Sequence, residues 1–339
     1  MEERKPFKIL SIDGGGIRGV FPAMFLNNLE RELKLRNCER TQIYQHFDLI
    51  CGTSTGGIMA IGLALGIPAQ EIYNLYLEQA PAIFGAKKSF LKRISYSAHD
   101  RAVLEKLIRE KFQTAKNGED PILKDCKTNI CIPIYDLMQG KPSVLKNNYH
   151  KNFVRDYHIP AYQAALATSA APTYFDPYST SYRDLKGIEQ PFSNKVDVGV
   201  FANNPTLLGI IEAQKTFNVP LSDLRVLSIG TGHQRFADAC SRSKWGIHYW
   251  MTQGNKKRLI ELFMQGQSQQ VQNLISLLQR GVDRQEQDNF IYTRIDTELD
   301  ETCSIELDET NKNKLNKLAE KAHIEFQNNA TVVISNFCA

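Results

Sequence analysis

Phe47-Asp48-Leu49-Ile50-Cys51-Gly52-Thr53-Ser54-Thr55-Gly56-Gly57-Ile58-Met59-Ala60-Ile61-Gly62-Leu63-Ala64-Leu65-Gly66-Ile67 is apolar almost throughout, with Asp48 its single charge. A membrane-spanning helix takes about 20 apolar residues in a row. Here Gly52, Gly56 and Gly57 bracket a Thr-Ser-Thr triplet in the first half of the run. A buried strand, a sharp turn and a buried helix fit better. The turn, Gly52-Thr53-Ser54-Thr55-Gly56, has the G-x-S-x-G pattern of a nucleophile elbow, which lifts a serine hydroxyl to the carboxyl end of a sheet. The glycines let backbones approach where a side chain would clash. Alone this pattern is weak. Directly after an apolar strand and before an apolar helix, it makes Ser54 the candidate nucleophile, with Gly52, Thr53, Thr55 and Gly56 as its elbow.

Upstream, the β-leaning run Phe7–Ile12 leads into Asp13-Gly14-Gly15-Gly16-Ile17-Arg18-Gly19. A helix follows, with Pro22 in its first turn and Phe21, Met24, Phe25, Leu29 and Leu33 at helical spacing. Strand, glycine turn and helix, twice over, is the rhythm of a parallel sheet covered by helices. Gly14 to Gly19 also matches G-x-G-x-x-G, which binds dinucleotides when an acidic residue stands at the tip of the next strand. That strand ends Cys51-Gly52-Thr53-Ser54 without one, so the nucleotide reading fails. Glycines at the end of a neighbouring strand instead offer bare N–H groups to an oxyanion. Gly14, Gly15, Gly16 and Gly19 are the candidate oxyanion loop. Arg18 adds a cation to it, as a clamp on the turn, a contact for an anionic head group or half of a salt bridge.

Further strands are expected at Asn129–Tyr135, Asn194–Val198, Leu224–Ile229 and Asn289–Ile295. Helices are expected at 100–112, 160–169, 205–216, 256–280 and 310–328. Leu315, Leu318, Ala322 and Phe326 give the last helix its apolar face. In 339 residues, 42% hydrophobic and 23% charged, there is no sign of disorder, collagen or coiled coil. Forty-one Lys and Arg against 37 Asp and Glu leave +4, too small an excess for a nucleic-acid duplex as partner. Seven cysteines without a CxxC pair, and no signal-peptide core behind the opening Met1-Glu2-Glu3-Arg4-Lys5, lead to the expectation of a reduced, cytoplasmic protein. Cys126 and Cys131 have no His beside them, so no metal is expected. The basic stretch Ala86–Ser97, with Lys87, Lys88, Lys92 and Arg93 around Phe90 and Leu91, reads as a solvated loop or as an interfacial lip.

The base is open on spacing alone. Asp197 and His233 follow Ser54 in the Ser, Asp, His order of an α/β-hydrolase, but that fold places several strands before its elbow and this chain places one. A Ser–Asp dyad, in which the carboxylate takes the serine proton directly, is the alternative.

Four segments together carry a resemblance: Asp13-Gly14-Gly15-Gly16-Ile17-Arg18-Gly19, then Gly52-Thr53-Ser54-Thr55-Gly56-Gly57, then Ala167-Thr168-Ser169-Ala170-Ala171-Pro172-Thr173-Tyr174-Phe175, then Asp197 with Ala202-Asn203-Asn204-Pro205. In order and spacing they resemble the patatin-like phospholipases. The resemblance implies a three-layer α/β fold, a mostly parallel central sheet flanked by helices. It spans residues 7–295, leaving 296–339 as a C-terminal helical extension packed on the same domain. It also implies a phospholipase A or lysophospholipase with Ser54 as nucleophile, Asp197 as base, no catalytic histidine, no cofactor and no metal. Where the family has Asp-Gly-Gly or Asp-Gly-Ala, this chain has Asp197-Val198-Gly199, and valine disfavours positive φ. The domain is also similar to phospholipase effectors of bacterial antiphage systems. That likeness implies a cyclic di- or oligonucleotide activator, membrane phospholipid as substrate, and contact with the inner face of the membrane when active. A homo-oligomer is compatible with it. A constitutive lipid-scavenging esterase and a catalytically silent binding module are the alternatives.

Overall fold

The computed structural model describes residues 5–85, 97–234, 246, 249–250, 258–280, 290–300 and 305–338. The basic stretch around Phe90 and Leu91 lies outside them. The strands are β1 (Phe7–Ile12), β2 (Leu49–Gly52), β3 (Asn129–Asp136), β4 (Lys141–Lys146), β5 (Tyr178–Arg183), β6 (Glu189–Val196), β7 (Leu224–Ile229) and β8 (Ile291–Ile295). The helices are α1 (Val20–Leu35), α2 (Thr55–Ala64), α3 (Ala69–Phe84), α4 (Ala102–Gln113), α5 (Ala161–Thr168), α6 (Thr206–Thr216), α7 (Arg258–Arg280) and α8 (Lys312–Val333), with a helical turn at Gly199–Ala202.

One sheet runs β5-β6-β3-β2-β1-β7-β8, with β4 also paired to β3. From β3 to β8 every pairing is parallel, while β4, β5 and β6 join antiparallel. Parallel strands covered on both faces need apolar residues on both. β1 follows this rule: Leu10 and Ile12 enter the core on one side, Ile9 the core on the other. The larger core lies under α1 to α5 and α8; the smaller lies under α6 and α7. The layers are helices, sheet, helices. α8 docks on α1, with Phe25 and Phe326 edge to face at 5.4 Å. Fully burying side chains of this kind contributes about 1.5–3 kcal/mol each.

Two local expectations need correction. The strand expected at Asn194–Val198 is the longer Glu189–Val196 and ends before Asp197. Its half-exposed, charged sequence carries little apolar period, and its place comes from hairpin pairing with β5. Helix α3 and strands β4 and β5 had no counterpart in the sequence reading; α3 directly follows α2 through Gly66 and Pro68. No helix among the described residues is long and apolar enough to cross a membrane.

Candidate active site

β1 and β2 are parallel neighbours with Ile12 opposite Gly52, so the two glycine turns leave the sheet side by side. Ser54 sits between β2 and α2 with φ 55° and ψ −124°, a strained conformation for a residue with a Cβ. The carbonyl of Ser54 accepts from the N–H groups of Gly57 (2.9 Å) and Ile58 (3.0 Å), which pins the elbow to the first turn of α2. Gly56 makes the turn fit: a Cβ there would meet the Ile12 carbonyl, and would lie 2.5 Å from the Asp13 oxygen.

Three long-range contacts hold the Ser54 elbow. The Thr168 hydroxyl accepts from the Ser54 N–H at 3.1 Å and donates to the Pro133 carbonyl at 3.0 Å. The Thr53 hydroxyl donates to the Ala202 carbonyl at 2.7 Å, tying the elbow to the turn that carries the acid. Tyr76, buried, donates to the Thr55 carbonyl at 2.8 Å.

Asp197 is buried and lines the same cleft as Ser54, whose hydroxyl is among the groups that favour its ionised form. The N–H of Gly199 donates to its Oδ1 at 2.7 Å, and its own N–H reaches the Ala170 carbonyl at 3.1 Å. Burial pushes its carboxyl up to about 6, only partly offset by the polar groups of Ser54, Gly199 and Val198. Val198 has φ −105°, so the valine in place of the family glycine is unstrained. Gly199, where a Cβ would stand 3.2 Å from Asp197 Oδ1, keeps the room.

The expected oxyanion loop divides. Gly15 and Gly16 line the same cleft as Ser54, and their N–H groups have no partner among the described residues. Gly14 spends its N–H on the Asn203 carbonyl at 3.0 Å and packs against the Ser54 Cβ. Gly19 lies under the Tyr76 ring, where a Cβ would be 3.0 Å from Cε1. Arg18 turns away into a second cavity. Gly14 and Gly19 thus support the loop, Arg18 leaves it, and Gly15 and Gly16 face the Ser54 cleft. Chain spacing alone does not distinguish them, because the 3₁₀ turn at Gly16–Gly19 swings successive residues to different sides.

The cleft beyond Ser54 has a volume of about 190 Å³ and apolar walls, among them Ile58, Ile83, Phe84, Leu104, Tyr174 and Met264. Pro172, Tyr174 and Phe175 from the Ala167–Phe175 segment line it too. That segment therefore builds cleft wall and, through Thr168 and Ala170, holds both Ser54 and Asp197. Such a cleft suits an acyl chain.

On the other side of α7 lies a polar cavity of about 530 Å³. Its floor is an ion-pair chain the sequence did not announce. Arg294 donates to both oxygens of Asp13 (3.0 and 2.7 Å) and to Asp296 (2.9 Å). Burial pushes Asp13 up to about 6 against the pull of Arg294. At Asp296 burial also opposes ionisation, but Arg294 and His233 outweigh it and hold the carboxyl at about 2. His233 stands 3.3 Å from Asp296, and that hydrogen bond raises its pKa. It is engaged there and not with Ser54 or Asp197. Asp13, at the head of the glycine loop, was the one available signal for this chain.

Comparison with known proteins gives the family. The patatin-like phospholipase family profile matches residues 10–210. The chain is 33% identical to patatin-like protein 2 of Arabidopsis thaliana over 328 residues, covering 88% of this chain and 78% of that one. It is 30% identical to a cGAMP-activated phospholipase of Escherichia coli (strain TW11681) over 339 residues, covering 95% and 90%. Among solved structures, VipD from Legionella pneumophila aligns with TM-score 0.43 and 12% identity over 96% of this chain and 66% of that chain. The chain is a lipid-ester hydrolase and belongs to the patatin-like phospholipase family.

Proposed function

We propose that the protein is a phospholipase A or lysophospholipase that cleaves fatty-acyl esters of membrane phospholipids through a Ser54–Asp197 dyad, and that a cyclic oligonucleotide switches it on. The observation that carries the dyad is the placing of the Ser54 hydroxyl and the buried Asp197 carboxylate together at the mouth of an apolar cleft. As Ser54 Oγ attacks the acyl carbonyl, its proton passes to Asp197. The negative charge that develops on the carbonyl oxygen meets the N–H groups of Gly15 and Gly16, which have no partner among the described residues, backed by the positive end of α2. Asp197 then returns the proton to the departing lysophospholipid oxygen, leaving an acyl-Ser54 ester. A water that gives its proton to Asp197 attacks that ester, and the proton passes on to Ser54 Oγ as the fatty acid leaves. The likeness to a cGAMP-activated phospholipase over nearly the full length of both chains supports the switch.

The test is fatty-acid release from mixed phosphatidylethanolamine and phosphatidylglycerol vesicles, with and without cGAMP, by the parent and by Ser54→Ala. Release by the parent that needs cGAMP and is absent from Ser54→Ala is the expected result. Release at the same rate without cGAMP refutes the switch. Release by well-folded Ser54→Ala refutes the dyad.

A further inference from the structure

Helix α7 stands between two cavities and shows each a different face. Ile260 and Met264 look into the acyl cleft. Gln265, Gln269 and Gln272, spaced along one helical face, line the polar cavity, and Met264 reaches both. Across the polar cavity stands Arg18. It is 8% exposed, its side chain makes no hydrogen bond or ion pair among the described residues, and its Nε is buried without a partner. Arg294 in the same cavity is paired directly with Asp13 and Asp296; Arg18 has no carboxylate at ion-pair distance among the described residues, and Glu261 and Asp296 attract it only from further off. A buried guanidinium without a directly bonded anion is costly. Arg258, in the first turn of α7, brings a second guanidinium, held over the Tyr249 ring at 4.7 Å.

The lining chemistry narrows the ligand. Planar guanidinium groups match phosphate oxygens. Carboxamides both donate and accept, so they suit a ligand with polar groups attached to its anion. Acidic residues on the same wall disfavour a highly charged polyphosphate. A volume of about 530 Å³ lies within the range of ligand cavities, about 300–1,000 Å³.

We propose that this polar cavity is a phosphodiester-binding site, with Arg18 on the phosphate and Gln265, Gln269 and Gln272 on its polar substituents, and that α7 carries its occupancy to the acyl cleft. A phosphodiester can arrive as the head group of a phospholipid whose ester lies at Ser54, or as a cyclic dinucleotide. The coupling rests on the acyl-hydrolase reading of the Ser54 cleft; the binding site does not.

The experiment uses the full chain. Calorimetry measures cGAMP binding to Ser54→Ala, alone and with either Gln269→Leu/Gln272→Leu or the near-isosteric Gln269→Glu/Gln272→Glu. In the Ser54 background the same pairs are assayed on dioleoylphosphatidylglycerol vesicles and on p-nitrophenyl butyrate, which has no phosphate. Loss of two hydrogen-bonding groups that the ligand would cover predicts binding weaker by about tenfold or more. The Glu pair keeps side-chain volume and should weaken binding further as salt falls. Binding of cGAMP that both pairs abolish or weaken to this extent supports the site with the nucleotide as occupant. No cGAMP binding, with both pairs lowering kcat/KM about tenfold more on vesicles than on the butyrate ester, supports the site with the lipid head group as occupant and refutes the nucleotide switch. Parent-like cGAMP affinity in both pairs refutes the site and leaves the hydrolase reading intact. So do equal effects on the two substrates in a chain that binds no cGAMP.

Discussion

Asp197→Asn separates what the acid does for chemistry from what it costs the fold. Burial raises the Asp197 pKa from 3.8 to about 6, so at pH 8 the folded chain keeps ionised a group that it would rather protonate. At ~1.36 kcal/mol per pKa unit, that is about 3 kcal/mol. Asparagine has nearly the same volume, and its amide oxygen can still accept from the Gly199 N–H, so the substitution removes charge without opening a cavity. The variant is therefore expected to exceed the parent in stability at pH 8 by up to about 3 kcal/mol. The pH course follows from the direction of the shift. A carboxyl raised on folding is protonated in both states below the unfolded pKa, where it costs nothing. Its cost grows as pH rises from about 4 to about 6 and is constant above. The gap between variant and parent should open across that window. Activity should move the opposite way, since an amide cannot accept the Ser54 proton: a loss on the order of 10³-fold or more is expected. Urea unfolding followed by circular dichroism from pH 4 to pH 8, beside ester hydrolysis at pH 8, measures both. A stability gap that does not change with pH, or a variant less stable at pH 8, would refute the burial argument. Activity within tenfold of the parent would remove Asp197 as the base.

In the parent, kcat/KM should rise with pH through about 6, because only the ionised Asp197 accepts the proton; a flat profile from pH 5 to pH 8 contradicts this. His233→Ala should keep most of the activity, since His233 pairs with Asp296; a loss as large as that of Asp197→Asn would restore the Ser, Asp, His reading. Arg294→Met leaves Asp13 and Asp296 buried without their cation and should destabilise the fold by about 3–5 kcal/mol near neutral pH, with Asp13→Asn in the same chain recovering part of the loss in thermal unfolding. Gly56→Ala should collapse turnover through the elbow, because its Cβ would press on the backbone oxygens of Ile12 and Asp13; parent-like kcat would show that the turn has room to spare.

The two glycine turns were legible because their constraint is local. A serine at φ 55° between an apolar strand and an apolar helix, with glycine where backbones touch, is written within a few consecutive residues. The same holds for the alternation of strand and helix, and so for a sheet with helices on both faces. What only the folded chain decides is which distant groups meet. Asp197 was legible as a candidate, but its burial and its place beside Ser54 come from β6, Ala170 and the turn after Val198. Thr168 was quoted within a motif, yet its grip on the Ser54 N–H exists only because α5 packs beside the elbow. The Asp13–Arg294 pair joins residues 281 positions apart, and no periodicity marks such a pairing. The division of the glycine loop belongs here as well: Gly15 and Gly16 face the cleft while Arg18 faces the polar cavity. Backbone conformation is set by near neighbours and so can be read along a sequence. Burial, charge pairing and the walls of a cavity are set by surfaces that folding alone brings together.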